Sequence, residues 1–78
     1  MSNPSTDFQA PWELYPEIPC NSVRWRVGRG EDAMNDWWNA MRALTQEQRL
    51  AYGQHHPGSK DWIEWLGWAL EYLRKEER

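Results

Sequence analysis

The chain has 78 residues, of which seven are tryptophan, and it carries nine lysine and arginine residues against twelve aspartate and glutamate residues. This length predicts one small, marginally stable domain, and the mixed, mildly acidic charge lacks the basic stripe of a protein that binds duplex nucleic acid. A single cysteine, Cys20, excludes an internal disulfide, and no run of residues is apolar enough to cross a membrane.

Residues 1–10 are polar, with Phe8 as their one aromatic side chain. Because so little of this segment can be buried, we expect it to be a flexible N-terminus that precedes the folded domain. It also lacks the basic start and the apolar stretch of a secretory signal. Together with a free Cys20, these features predict a cytoplasmic location.

Residues 11–30 are expected to form an extended arm. The first part, residues 11–19, contains three prolines, which favour extended backbone and exclude a regular helix. We expect this segment to lie across an aromatic face of the helical domain. A peptide that docks into a partner protein is the alternative interpretation.

Within the arm, residues 22–27 alternate between apolar and arginine or polar side chains. A period of two predicts a strand with one dry face, and a single strand needs a partner. The segment is therefore expected to pair with residues 11–15 in a two-stranded ribbon, to stay irregular, or to offer its edge to another chain. Gly28 and Gly30 follow and predict a break before the next element.

The first predicted helix covers about residues 31–44. Glu31 and Asp32 lie in its first turn, where the helix macrodipole favours negative charge. Its large apolar side chains recur at helical spacing and form a single stripe. They are Met34, Trp37, Trp38, Met41 and Leu44.

A second helix is predicted over residues 46–55. Thr45 and Gln48 have the spacing of a capping box, in which each side chain accepts a hydrogen bond from the other residue's backbone amide. The helix is only weakly amphipathic, and residues 56–58 (His-Pro-Gly) end it. Its predicted inward residues are Leu50, Ala51 and Tyr52.

The third predicted helix, residues 60–76, carries apolar side chains over roughly 220° of its circumference, about twice what one buried face requires. One stripe is expected in the core, and it consists of Trp62, Leu66, Ala69, Leu70 and Leu73, with Ile63 at its edge. The opposite edge carries Trp65, Trp68 and Tyr72. The helix therefore needs either a second cover or a partner for this edge.

These elements predict an all-α fold, in which residues 11–78 form a small three-helix domain that includes the proline-rich arm and at most one short strand or ribbon. Three short helices also invite comparison with a helix-turn-helix protein. The third helix, however, carries tryptophans and glutamates where base edges and phosphates would need donors. Reading of duplex DNA is therefore not expected.

Candidate catalytic and metal-binding residues are few. His55 and His56 lie at a helix end, where a histidine can satisfy terminal carbonyls, and no cysteine or histidine joins them at ligand spacing. Cys20 lacks a signature that would place a histidine beside it, and the carboxylates are scattered over predicted polar faces. We therefore expect no catalytic residue, no metal and no cofactor, and predict that the chain is not an enzyme.

The most suggestive polar segment is RWRVGRG, residues 24–30. Its three arginines can contact phosphates while Trp25 stacks on a base, which makes a module for single-stranded nucleic acid or another anion the alternative function. On a strand, however, Trp25 would point away from Arg24 and Arg26. The simpler interpretation is one inward tryptophan between solvated arginines.

Protein binding is the favoured interpretation, because exposed aromatic and arginine side chains are typical of interface anchors. The predicted contact residues are Arg24, Trp25, Arg26, Arg29, Trp65, Trp68 and Tyr72. We expect a small inhibitor, adaptor or regulator of a larger protein, for example an immunity-type protein or a phage-encoded antagonist of a host defence complex. Self-association through the same aromatic edge is a further alternative.

Overall fold

The computed structural model describes residues 8–76, which are mostly helical and contain four α-helices and no strand. The helices are α1 (Pro11–Leu14), α2 (Gly28–Arg42), α3 (Gln46–His55) and α4 (Lys60–Glu76), and a 3₁₀ helix covers Val23–Arg26. The predicted all-α fold class is confirmed, α3 covers the predicted residues, and α4 begins at the predicted residue.

Phe8 and Ala10 belong to the packed part of the chain, although all of residues 1–10 were predicted to be flexible. Ala10 is fully buried, and the Phe8 ring stacks on Tyr52 with ring centroids 4.6 Å apart. The Tyr52 hydroxyl also donates to the Phe8 backbone oxygen at 2.9 Å. The prediction is therefore wrong for residues 8–10, while residues 1–7 lie outside the described part of the chain.

α1 is a single helical turn where extended backbone was predicted. Pro11 occupies its first position, where a helix needs no backbone N–H and where the fixed proline φ already suits the helix. The Glu13 carboxylate accepts a hydrogen bond from the Ala10 amide at 2.8 Å and so caps the turn. Proline therefore does not exclude a helix in this first turn, whereas Pro16 and Pro19 keep the rest of the arm irregular.

The predicted strand within the arm is replaced by the 3₁₀ helix. The Arg24 amide donates to the Ser22 hydroxyl at 3.1 Å, which starts the turn. As a result Trp25 points inward, while Val23 and Val27 are exposed instead of sharing its face. The period of two indicated a strand, but a strand needs a second strand beside it to pair its backbone groups. A turn pairs its backbone groups locally and therefore forms here instead.

α2 begins at Gly28, earlier than the predicted start near residue 31. Gly28 has a φ of 58°, in the left-handed region that glycine enters without strain, and it turns the chain from the 3₁₀ helix into α2. Gly30 lies against the 3₁₀ helix, since a Cβ there would be 2.1 Å from the Arg24 backbone oxygen. At its other end α2 stops at Arg42, and Leu44, predicted in the last turn, is buried beyond the helix.

Hydrogen bonds explain why α3 begins where the sequence predicted. The Gln48 amide donates to the Thr45 hydroxyl oxygen at 3.2 Å, and the Thr45 amide donates to the Gln48 side-chain oxygen at 2.8 Å. This is the predicted capping box. It satisfies two backbone donors that a helix start would otherwise leave unpaired.

The inward face of α3 differs from the prediction, because Leu50 is exposed. Tyr52 is fully buried, as predicted, but the second buried residue is Arg49. The Arg49 guanidinium donates to the backbone oxygens of Met41 at 2.9 Å and Arg42 at 3.4 Å. The Met41 oxygen also accepts from the Leu44 amide at 3.1 Å, so Arg49 adds a second hydrogen bond there. The two hydrogen bonds of Arg49 orient α3 and leave Leu50 outside.

Four tryptophans meet at the centre of the core, one from each of α1, the 3₁₀ helix, α2 and α4. The Trp62 ring lies 5.1 Å from Trp12 and 5.3 Å from Trp25, and Trp12 lies 6.4 Å from Trp37. The Trp12 indole N–H donates to the His56 backbone oxygen at 3.1 Å. The arm therefore covers the first part of α4, as predicted. The other buried hydrophobic residues are Ala10, Ile18, Met41, Leu44, Tyr52, Leu66, Ala69 and Leu73.

Candidate functional site

The buried face of α4 is narrower than the sequence predicted. Leu70 is half-buried and Ile63 is exposed, although both were expected in the core stripe or at its edge. The remaining predicted core residues of the helix are buried, namely Trp62, Leu66, Ala69 and Leu73. More apolar surface of α4 therefore lies outside the core than the helical period indicated.

The opposite edge of α4 lies at the surface and joins one side chain of α2 in a continuous set of rings. Trp68 is 57% exposed and Tyr72 is 46% exposed, whereas Trp65 is half-buried. Trp38 on α2 is also half-buried, and its ring lies 6.2 Å from Trp68 and 5.8 Å from Tyr72. We name this set, Trp38, Trp65, Trp68 and Tyr72, the aromatic ridge.

The base of the aromatic ridge is continuous with the core. The Trp65 ring lies 5.2 Å from the buried Trp37 and 5.4 Å from the buried Trp62. It also lies 5.8 Å from Trp38 and 6.3 Å from Trp68 at the surface. Tilted and edge-to-face pairs at these distances are favourable for aromatic rings. The exposed rings therefore stand on a packed base. They lose less conformational entropy on binding a partner than isolated, freely rotating side chains would.

The aromatic ridge lies on a side of α4 that the arm does not cover. Trp12 and Trp25 both pack on Trp62. Trp68 lies six residues further on, about 9 Å along the helix axis, and its ring neighbours in the described chain are the other members of the ridge. Six residues also place Trp68 about 120° around the helix from Trp62, so the second cover that the sequence required is present at Trp62 and missing at Trp68 within residues 8–76.

A groove of about 540 Å³ runs beside the aromatic ridge between α2 and α4. Aromatic rings line its α4 side, and side-chain amides, a guanidinium and the Trp38 ring line its α2 side. The lining residues are Asn35, Trp38, Asn39, Arg42, Trp68 and Tyr72. This surface places apolar contact area beside hydrogen-bond donors and acceptors, the combination found at protein interfaces.

Arg42 connects the α2 side of the groove to the end of α4. Its guanidinium forms two hydrogen bonds with the Glu76 carboxylate, at 3.1 and 3.3 Å, and these raise the pKa of Arg42 above its ordinary value. The guanidinium carbon lies 5.7 Å from the centre of the Trp38 ring, within cation–π distance. Neither Trp38 nor Arg42 was predicted to be a surface contact residue. Their separation of four residues is the sequence signal for this pair, because it places a cation beside a ring on the same helix.

The predicted contact residues of the arm do not take part in the aromatic ridge. Arg24, Arg26 and Arg29 are exposed, but Trp25 is only 6% exposed. The Trp25 indole N–H donates to the Pro19 backbone oxygen at 2.8 Å. The prediction of Trp25 as a contact residue is therefore corrected, because the 3₁₀ helix turns its ring into the core.

Arg29 lies beside carboxylates rather than on a uniformly basic surface. It lines a pocket of about 380 Å³ together with Asp32 and Asp36 of the same helix. Two negative charges beside one positive charge repel a phosphate. Since Trp25 is also unavailable for stacking on a base, the arrangement weakens the nucleic-acid alternative.

His56 and Glu13 fasten the arm to the end of α3. His56 Nδ1 lies 2.7 Å from Glu13 Oε1, and the imidazole stacks on Tyr52 at 4.0 Å. Burial acts to raise the pKa of Glu13, but the hydrogen bond from Ala10 and the interaction with His56 together bring it below its ordinary value. Among residues 8–76, no group of three or more His, Cys, Asp or Glu side chains could hold a metal ion.

Cys20 is half-buried against the start of α4. Its sulfur lies 3.7 Å from the Asp61 backbone oxygen, in the geometry of a weak hydrogen bond. Burial, and then the negative charge of Asp61, raise the pKa of the Cys20 thiol. A thiol with a raised pKa is a poor nucleophile at neutral pH, so this environment does not activate Cys20.

No protein-family model matches the chain, and searches of curated proteins and of solved structures found no significant match. None of the helices within residues 8–76 is long and apolar enough to cross a membrane. The proposal of function therefore rests on the aromatic ridge and the groove beside it.

Proposed function

We propose that this chain is a small non-enzymatic protein-interaction domain, which binds a larger protein through the aromatic ridge and so acts as its inhibitor, adaptor or regulator. The observation that carries the proposal is the exposure of Trp68 and Tyr72 above a packed aromatic base. Burial of apolar surface contributes about 25 cal/mol per Å². Trp68 and Tyr72 each leave about half of their surface in water, so a partner that covers these rings would gain free energy from burying them.

A protein partner suits the surroundings of the ridge better than a nucleic acid. Tryptophan, tyrosine and arginine are the residue types enriched among interface anchors, and Arg42 stands beside the exposed rings. Asn35 and Asn39 add polar groups at the rim, where interfaces are usually hydrated. The formal net charge of −3 also disfavours long-range attraction of a phosphate backbone.

The narrower part of the proposal concerns the class of partner. A small, mildly acidic, tryptophan-rich domain that offers one aromatic docking surface suits a cytoplasmic inhibitor or adaptor. An immunity-type protein and a phage-encoded antagonist of a host defence complex are two examples of that class. In either role the domain would act by covering a surface of its target rather than by chemistry of its own.

Affinity capture from cells, with the wild-type chain and two variants as baits, tests the proposal. Trp68→Ala removes the most exposed ring of the ridge. Ile63→Ala is the matched control, because Ile63 lies on the same helix, is 59% exposed against 57% for Trp68, and points to a different face. We expect a target that the wild type and Ile63→Ala both retain and that Trp68→Ala loses.

The captured target, once purified, allows a quantitative version of the same comparison. Calorimetry should show that Trp68→Ala raises the dissociation constant at least about tenfold, as for an anchor residue, while Ile63→Ala changes it less than about twofold. Equal affinity of the wild type and Trp68→Ala would remove the ridge as the docking surface.

One observation still supports the alternative of nucleic-acid binding, namely the exposure of Arg24, Arg26 and Arg29. A titration of a labelled single-stranded oligonucleotide at increasing salt concentration distinguishes the two functions. Binding through phosphates would weaken steeply with salt and would be reduced by Arg24→Ala. We expect no such binding at physiological salt, whereas contact through the aromatic ridge should depend on salt only weakly.

A further inference from the structure

We infer that the aromatic ridge also binds a second copy of this chain, with the two α4 helices antiparallel about a twofold axis at Trp68. The inference rests on the proposed function, since it takes the ridge as a docking surface. It adds a homodimer that covers the ridge until the target protein displaces the second copy.

The order of charges along this face of α4 is self-complementary. Asp61 lies seven residues before Trp68 and Lys75 lies seven residues after it, so each falls within about 20° of Trp68 around the helix. Both are exposed, and neither takes part in an ion pair within residues 8–76. In an antiparallel dimer each Asp61 faces the Lys75 of the other copy, which forms two equivalent ion pairs.

The same charges disfavour other arrangements. A parallel pair would place Asp61 opposite Asp61 and Lys75 opposite Lys75, and it would align the two helix dipoles unfavourably. A different protein would need, on its own helix, a basic end and an acidic end in the reverse order around a central apolar residue. A second α4 in the antiparallel direction already has that order.

The residues of this face recur at the spacing that two packed helices require. Five positions separated alternately by four and three residues follow one side of α4, with aromatic residues in the middle and charges at the two ends. These positions are Asp61, Trp65, Trp68, Tyr72 and Lys75. The two Trp68 rings would thus meet at the centre of the interface, where anchor residues contribute most, and the ion pairs would lie at its rim.

The available area makes this dimer weak and reversible. At about 150 to 250 Å² per aromatic side chain, the exposed halves of Trp68 and Tyr72 contribute about 200 Å² per copy. Stable interfaces bury about 800 Å² per partner. We therefore expect a dissociation constant on the order of 100 μM, which a target with a larger interface would overcome.

Sedimentation equilibrium of the full chain at low ionic strength, from about 10 μM to about 1 mM, tests the dimer. We expect the wild type to approach the mass of a dimer at the upper end of this range. Trp68→Ala should stay monomeric, and the matched control Ile63→Ala should follow the wild type. Far-UV circular dichroism of each variant checks that the fold is kept.

Charge reversal identifies the second copy as the occupant of the ridge. Asp61→Lys alone and Lys75→Asp alone each place like charges opposite one another, and each should weaken the dimer at least about fivefold. The double variant Asp61→Lys/Lys75→Asp forms both ion pairs again in the opposite sense. It should return the dissociation constant to within about twofold of the wild-type value.

Three results would overturn the inference: a strict monomer at the highest concentration, a double variant weaker than either single variant, or equal losses from Trp68→Ala and Ile63→Ala. Failure of the dimer inference can be told apart from failure of the proposed function. A monomer that still captures a target through Trp68 contradicts the dimer alone. A dimer whose Trp68→Ala variant captures the same target as the wild type contradicts the proposed function alone.

Discussion

The two ends of α4 carry the same kind of side chain in different environments. Trp62, near the start of the helix, is 5% exposed, and Trp68, six residues later, is 57% exposed. At Trp62 the arm supplies Trp12 and Trp25, with ring distances of 5.1 and 5.3 Å. At Trp68 the described chain supplies only the other rings of the aromatic ridge. The two residues also lie about 120° apart around the helix, and Leu73, which lies beyond Trp68, is fully buried. Burial of an indole on α4 thus depends on the side of the helix that it occupies as well as on the arm.

This difference means that Trp62 contributes to stability, whereas Trp68 is available for binding. A buried tryptophan of about 150 to 250 Å² contributes about 4 to 6 kcal/mol gross at 25 cal/mol per Å². A domain of this size has a total stability of only about 5 to 15 kcal/mol. The buried side of α4, which includes Trp62, therefore dominates folding, and the exposed rings of Trp68 and Tyr72 are available to a partner at little cost to the fold.

Trp62→Ala should disrupt the covered end most strongly. The substitution removes the ring on which both Trp12 and Trp25 pack, so we expect a loss of about 3 to 5 kcal/mol in the free energy of unfolding. Urea denaturation followed by circular dichroism measures it. A loss below about 1 kcal/mol would mean that the arm and α4 do not form a common core.

Gly30→Ala tests the close contact between Gly30 of α2 and the 3₁₀ helix that carries Trp25. A Cβ at Gly30 would lie 2.1 Å from the Arg24 backbone oxygen, which cannot rotate away, so we expect a loss of about 1 to 3 kcal/mol. Gly67→Ala is the matched control, because a Cβ there meets nothing within 4 Å. That variant should gain about 0.5 to 1 kcal/mol in urea denaturation. Stabilisation by both variants would contradict the close approach at Gly30.

Acid should weaken the attachment of the arm through Glu13. Because the pKa of Glu13 is lowered in the folded chain, its contribution to stability is fully present above its ordinary value of 4.5 and is lost as the pH falls through the lower, folded value. The carboxylate is about a third exposed, so the effect should stay below about 1 kcal/mol.

Denaturation curves at pH 7 and in the range below 4.5 measure the acid effect. Glu13→Gln should show a smaller loss of stability on acidification than the wild type. Glu17→Gln, which removes an exposed carboxylate of the same arm, is the control and should follow the wild type. An unchanged acid dependence in Glu13→Gln would show that the Glu13–His56 contact does not hold the arm.

Trp68→Ala should have little effect on folding. More than half of its ring is already in water, so we expect a change of about 1 kcal/mol or less in the free energy of unfolding, together with the loss of target capture proposed above. Urea denaturation beside Trp62→Ala provides the comparison. A loss as large as that of Trp62→Ala would place Trp68 in the core and remove the contrast between the two ends of α4.

The sequence by itself determined the all-α fold class, the bounds of α3, the start of α4, and most of the buried stripe of α4. These features depend on signals that lie within a few residues of one another. The capping box of Thr45 and Gln48 starts α3, the stop at residues 56–58 ends it, and the helical period selects the buried face of α4. Local hydrogen bonds and local spacing are sufficient for each of them.

Only the tertiary structure decided which apolar side chains are covered. Trp25 enters the core because it reaches Trp62, and Arg49 replaces Leu50 because its guanidinium finds the carbonyls at the end of α2. Trp68 stays outside because it lies about 120° around α4 from Trp62, on a side that the arm does not cover. The physical reason is common to all of these outcomes: they depend on contacts between residues that are distant in sequence or on the reach of a short segment. A hydrophobic period shows which faces are apolar, but the length and path of the covering chain decide which face is buried.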